Sequence, residues 1–202
     1  LPETHFFLEC PTFLNRYLVT PPQRMRQVER RESGGTVTTT VEIDTPKGPL
    51  TAVTATNPAS NTVWQIKYPV ESPEDIEKIR SIPWELPPRL APPDLSRVPA
   101  GFAERGIVRA GVSSPFVCVA GMMPFELFLE FCATDLPLIR ELSAICLERT
   151  LSVLDVVLAE ESVEYVWIGG CEWITPPMAS GAVYRALAHE FERPLIERVH
   201  AG

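Results

Sequence analysis

No stretch of this 202-residue chain keeps about 18 apolar residues in succession, the length a membrane-spanning helix requires, so no membrane partner is expected. The opening LPETHFFLEC has neither a basic n-region nor a long apolar h-region. It does not read as a signal peptide, and a cytoplasmic location is expected. Positive charge is scarce. Lys and Arg number 18 against 26 Asp and Glu, a net charge of −8, and the pI is near 5.0. No basic stripe is left over to neutralise phosphates, which argues against a nucleic-acid partner. The cluster Arg24–Arg31 is interrupted by Glu29 and followed by Glu32, the pattern of a solvated surface. The five cysteines, Cys10, Cys118, Cys132, Cys146 and Cys171, never form a CxxC pair and sit mostly in apolar runs. Buried, reduced thiols are expected. A glycine-rich phosphate loop, a GxSxG elbow and an HExxH helix are all missing.

What is present is a soluble-type composition, 45% hydrophobic, long enough for one domain with its own core. Residues 35–68 alternate and are rich in β-branched side chains: TVTTTVEI, the turn DTPKGPL, then LTAVTAT and TVWQIKY. They predict an antiparallel β excursion with one wet face. Before it, Phe6-Phe7-Leu8 suggests a strand end and Thr12–Leu18 a short helix. Ser72-Pro73-Glu74-Asp75 is a helix start, with Ser at the N-cap, Pro in the first turn and acids beside it. That helix is expected to end near Ile82. The 21 prolines concentrate in 83–99, a loop.

The second half changes period. Gly106–Val112 reads as a strand and Ser113-Ser114-Pro115 as the loop at its carboxyl end. Pro124–Phe131 is expected to be a short helix, and Asp135–Glu161 a long amphipathic one. Val163–Ile168 is a second strand, ending in Gly169-Gly170, and a helix follows over 181–200 with Ser180 as its N-cap. Pro194 is expected to kink that helix unless it opens a new first turn. Helical crossovers predict that the two strands are parallel neighbours in an α/β fold. Two parallel strands cannot bury both faces of a sheet. The chain is therefore expected to be part of a longer α/β protein, or to complete its sheet with a partner.

Chemistry in such folds collects in the loops at strand carboxyl ends. Here those loops carry Ser113, Ser114 and Phe116 after one strand, and Gly170, Cys171, Glu172 and Trp173 after the other. The serine hydroxyls suit a carboxylate or phosphate, or simply cap the loop. Gly170 lets the backbone approach a ligand or take positive φ. Cys171 suits a thiolate or metal ligand, and Glu172 a proton donor or a cation partner. The plainer alternatives are a gap-filling thiol and a solvated carboxylate. Trp173 can stack on a flat ligand or close the rim of the core. These loops are expected to converge in one cleft. His189 and His200 lie on the last helix and are expected to be structural or solvated.

Three blocks, taken in order, resemble the uroporphyrinogen decarboxylase family over about residues 35–202. TVEIDTPKGPL with TVWQIKYPVESPEDIEKI resembles the excursion of its methyltransferase-like branch. GVSSPFVCVAGMMPFELFLEF resembles a strand, loop and helix of the family, and IGGCEWITPPMASGAVYR a later one. The resemblance implies a TIM-type (β/α)8 barrel, which typically needs about 250 residues, so residues 1–202 are expected to form part of a barrel domain. It also implies an enzyme acting on a small-molecule substrate, by corrinoid-linked methyl transfer or by decarboxylation of a tetrapyrrole precursor. Catalytic roles would fall to Cys171 and Glu172, and substrate contacts to Ser113, Ser114, Phe116, Gly170 and Trp173. A corrinoid protein is the implied partner. The zinc ligands of the methyltransferase branch would lie beyond Gly202, so no metal ligand is assigned to this chain.

The departures bear on the choice. Met25-Arg26-Gln27 repeats the start of the decarboxylases' MRQAGRY motif, but the ERRESGG that follows Val28 does not continue it. The decarboxylase tyrosine would fall near Ala120-Gly121, and the acid of a later loop near Gly169. Methyl transfer is thereby the leading expectation and decarboxylation in porphyrin biosynthesis the second. A non-catalytic barrel piece acting by association, through an incomplete sheet edge or as a homo-oligomer, is the third.

Overall fold

A computed structural model of the chain describes residues 6–7, 25–60, 62–84, 108–159 and 165–201. The helix expected within Thr12–Leu18, most of the proline-rich loop, and Cys10 lie outside them. In chain order come β1 (Phe6–Phe7), β2 (Met25–Ser33), β3 (Thr36–Ile43), β4 (Leu50–Asn57), β5 (Thr62–Lys67) and α1 (Pro73–Arg80). There follow β6 (Val108–Ser113), α2 (Pro115–Ala120), α3 (Phe125–Thr134), α4 (Leu136–Leu158) and β7 (Tyr165–Gly169). A 3₁₀ turn (Cys171–Ile174) then leads to α5 (Gly181–Tyr184), a π-helical turn (Arg185–His189) and α6 (Glu190–Ala201).

The strands divide into two sheets. One is antiparallel, ordered β2-β3-β4-β5, and the other parallel, ordered β1-β6-β7. The fold is thus mixed α/β with an antiparallel excursion near its amino end. The expected parallel pairing of the two later strands is present, with Val112 opposite Ile168 and Ser113 opposite Gly169.

The excursion is larger than 35–68, because β2 precedes it. Almost every side chain of β2 is exposed, so it carries no alternation for a sequence pattern to reveal. Its ladder with β3 is nucleated by a two-residue turn, Gly34-Gly35, both at positive φ (56° and 78°). Such turns match the twist of the flanking strands and favour glycine at both places. The charges read as a solvated cluster are arranged across this strand. Arg26 pairs with Glu42, its ladder partner, and Arg31 with Glu29 at 2.7 Å.

Helix starts follow local chemistry, with one reversal. Ser72 does not accept a bond from the first turn of α1. Its hydroxyl donates to Asp75 Oδ2 (3.3 Å), which also accepts the Glu71 N–H (3.2 Å). Asp135 caps α4 by accepting from the Leu138 N–H, and Ser180 caps α5 by accepting from Val183 N–H (3.3 Å). The loop expected over Ser113-Ser114-Pro115 passes at Pro115 into α2, an element the sequence reading did not assign. Ser114-Pro115 repeats the Ser-Pro start of α1, and its six residues form helix because Phe116, Cys118, Val119 and Ala120 all find burial.

Among the described residues, two apolar clusters hold the elements. Ile43 and Leu50, ladder partners at one end of the excursion, join Ile76 and Ile79 of α1 and Phe116, Met122, Met123, Phe128, Ile139 and Leu142 in the larger one. The Val70 N–H donates to the Met122 carbonyl at 3.0 Å, tying the segment after β5 to the end of α2. The smaller cluster sits on one face of β6 and β7, where Val112, Val166 and Ile168 meet Leu154 of α4 and Leu195 of α6. On the other face of β7, Tyr165 and Trp167 are 48% and 45% exposed.

Pro194 lies inside α6 and opens no new helix. The backbone irregularity is upstream, where Glu190 N–H reaches Arg185 carbonyl in the π turn. Arg140 of α4 braces that turn. It donates to the Ala186 carbonyl and to Glu190 Oε2, both at 2.8 Å, and its guanidinium lies over the Phe191 ring.

Candidate functional site

The carboxyl ends of β6 and β7 are locked together by the Ser114 N–H, which donates to the Gly169 carbonyl at 2.9 Å. The chain leaves β7 through Gly170 at φ 109°, a conformation that side chains oppose. A Cβ there would also stand 2.3 Å from Val117 Cγ2. Of the two alternatives for this glycine, positive φ is the one present, and its backbone lies close against Val117 of α2. The turn that follows is tied to it, since Trp173 N–H donates to the Gly170 carbonyl (3.0 Å) and Gly170 N–H donates to Glu172 Oε2 (3.1 Å). A cis peptide joins Pro176 and Pro177.

A cleft of about 350 Å³ opens between these strand ends and the excursion. Ser113, Val117, Cys118 and Gly121 form its floor and one wall, Trp173 another, and Gln65 and Tyr68 reach in from the end of β5 and just beyond. Trp173 is 41% exposed and meets Phe125 edge-on, with ring centroids 5.9 Å apart. Phe125 stacks in turn on Phe128, and Phe128 on Phe116, so the indole stands on an aromatic column that runs from half-buried Phe125 into the core. The Gln65 amide nitrogen is committed to the Lys67 (2.6 Å) and Val53 (3.3 Å) carbonyls, which holds this side chain at the mouth.

Of the residues expected to converge, Ser113 and Trp173 line this cleft. Ser114 and Phe116 are fully buried beneath it, and the Ser114 hydroxyl has no hydrogen-bond partner. Glu172 is exposed, and its carboxylate is turned back onto the Gly170 N–H. Cys171 is half-buried, is not part of the cleft's described lining, and lies near Tyr184. Burial, and then the Cys171 and Glu192 charges nearby, raise the Tyr184 hydroxyl above the usual tyrosine range. His189 and His200 are exposed on the last helical segment.

Cys118, at the cleft wall, is backed by Cys146, whose thiol is pushed well up by burial and by the neighbouring Cys118. Burial likewise pushes Cys132 up to about 12. Both are structural thiols that stay protonated at neutral pH. Among the described residues no three His, Cys, Asp or Glu side chains form a group able to hold a metal ion.

Gln65, Tyr68, Val117, Cys118 and Gly121 were not anticipated. The signal for the last three was the Ser114-Pro115 helix start. Tyr68 stands before Pro69, where an extended backbone is favoured and a strand ends. Nothing local in the sequence marked Gln65.

No family model, curated protein or solved structure matches the chain. No described helix is long and apolar enough to cross a membrane.

Proposed function

We propose that the chain is part of a barrel enzyme of the uroporphyrinogen decarboxylase type, acting in methyl transfer between a corrinoid-carrying partner and a small substrate. One observation carries the choice. The cleft's described lining holds aromatic and neutral polar side chains, Tyr68, Trp173, Gln65, Ser113 and Cys118, and no cationic one. A precursor bearing several carboxylates needs cations to hold it, since an unpaired carboxylate is costly to take out of water. An uncharged, partly apolar cleft suits a methyl-bearing group instead. Its volume is at the small end for ligand sites, so it would take the reacting part of a substrate and leave a macrocycle outside.

The described residues do not supply a zinc set, so no step is assigned to that metal. In this reading Trp173 and Tyr68 bind the substrate's apolar part, and Ser113 offers it a hydroxyl. Glu172 acts as a positioning residue by holding the Gly170 turn, and Cys171 acts from beside Tyr184.

The test is binding of methylcobalamin and of uroporphyrin, each followed by tryptophan quenching in the full chain and in Trp173→Phe. Saturable binding of methylcobalamin that Trp173→Phe weakens supports methyl transfer. Binding of uroporphyrin alone transfers the assignment to the decarboxylases. Binding of neither removes the enzymatic reading and leaves a structural piece acting by association.

A further inference from the structure

The cleft at the strand ends holds more hydrogen-bonding capacity than the described residues use. Gln65 Nε2 donates to the Lys67 carbonyl at 2.6 Å and to the Val53 carbonyl at 3.3 Å. Both partners are carbonyl oxygens, so the atom between them is the amide nitrogen, and the side chain cannot be turned over. The ladder between β4 and β5 shifts register between Val53 and Thr54, and the Gln65 amide occupies that irregularity. Its Oε1 is therefore an acceptor of fixed position. Among the described residues nothing donates to this oxygen, and it is not buried, on a side chain that lines the cleft.

Tyr68 and Ser113 line the same cleft, and among the described residues neither hydroxyl has a partner. A hydroxyl rotates, so each can donate to a ligand oxygen. The described lining carries no charged side chain. A charged ligand group would leave water there without finding a counter-charge. Trp173 supplies a flat apolar surface, 41% exposed and held by its bond to the Gly170 carbonyl and its edge contact with Phe125. A fixed acceptor calls for a ligand donor, and free hydroxyls call for a ligand acceptor. The missing charge calls for neutrality, and the indole for a flat ring. An alcohol would offer both polar roles at one oxygen, and a carboxylate would offer no donor. A carboxamide offers N–H and C=O on separate atoms of one uncharged plane.

We propose that the cleft binds a neutral aromatic carboxamide, its N–H donated to Gln65 Oε1, its carbonyl accepting from the Ser113 hydroxyl and its ring against Trp173. This names the substrate class of the cleft, and it rests on the methyl-transfer reading only in placing the substrate there.

The test is an amide-resolved NMR titration of the full chain with benzamide, with acetophenone and benzoate as controls and methylcobalamin titrated separately. Saturable shifts at the Gln65 side-chain amide, Ser113 and the Trp173 indole are expected with benzamide. Acetophenone keeps the ring and the carbonyl but lacks the N–H, and should bind about fivefold or more weakly. Benzoate lacks a donor and brings an unmatched charge, and should bind weakest. Gln65→Met keeps the length of the side chain and removes the acceptor. It should bring benzamide down to the level of acetophenone and leave acetophenone unchanged, whereas general damage to the strand would weaken both. The proposal is overturned by absence of saturable shifts at tens of millimolar benzamide, by acetophenone binding as tightly, or by a folded Gln65→Met variant that keeps the preference. A chain that binds methylcobalamin but not benzamide overturns this proposal and leaves methyl transfer standing. One that binds benzamide but not methylcobalamin supports this proposal and overturns the reaction.

Discussion

Gly170 is the residue on which the strand-end loops depend most. It combines a φ of 109° with a backbone that lies against Val117, so any side chain meets both strain and a clash. Gly170→Ala should cost roughly 2–4 kcal/mol, read as a lowered urea midpoint at unchanged slope. A change below about 0.5 kcal/mol, the range of an ordinary surface substitution, would mean the turn relaxes freely. The buried thiols predict an alkaline effect. The folded pKa of Cys132 is raised to about 12 and that of Cys146 is raised as well, while an exposed thiol titrates near 8.5. An unfolded chain therefore releases these protons first. The contribution is fully present below the unfolded pKa and is lost as pH rises from there through the folded pKa. Stability should fall between about pH 8.5 and 12, and Cys132→Ala should flatten that slope in parallel urea titrations.

At the scale of elements, the excursion and the last helix differ in what holds them. Strand β2 keeps its place through its ladder with β3 and through exposed ion pairs, which individually contribute little. Its amides should exchange with solvent faster than those of β3 and β4, and Arg26→Ala should change stability by less than about 1 kcal/mol. Protection of β2 equal to that of β3 would show the sheet opening as one unit. The π turn rests on Arg140, whose two bonds to the facing helix have no substitute among the described residues. Arg140→Ala should cost about 1–3 kcal/mol and broaden the amide signals of 185–189; unchanged signals would mean that the turn holds its own form.

For the whole molecule, the described face of β7 away from the helices carries two half-exposed aromatic side chains. Tyr165 and Trp167 project from β7, which among the described residues pairs with β6 alone. An unpaired edge with aromatic side chains on it favours association. Sedimentation over a concentration series should show reversible self-association that Tyr165→Lys reduces. A strictly monomeric chain at all concentrations would mean that this face is content in water.

The sequence by itself determined the parts whose information is local. The alternation of Thr36–Ile43 and Leu50–Asn57 specified strands, the 3.6-residue period from Asp135 specified α4, and Ser180 before Gly181 specified a cap. The parallel pairing of β6 with β7 followed from the helices between them, because parallel strands need a long crossover. Strand β2 was illegible because pattern reading depends on one face being buried, and β2 buries neither. Its only mark was Gly34-Gly35. The cleft was half legible. Ser113 and Trp173 follow apolar strands, but Gln65 and Tyr68 arrive from more than forty residues upstream, through a core shared between the excursion and the helices. The placing of Cys171 and Glu172 was likewise a tertiary decision. Cys171 lies near Tyr184 and Glu172 accepts from the Gly170 N–H, and which neighbour each residue of the turn finds depends on how the last helix packs.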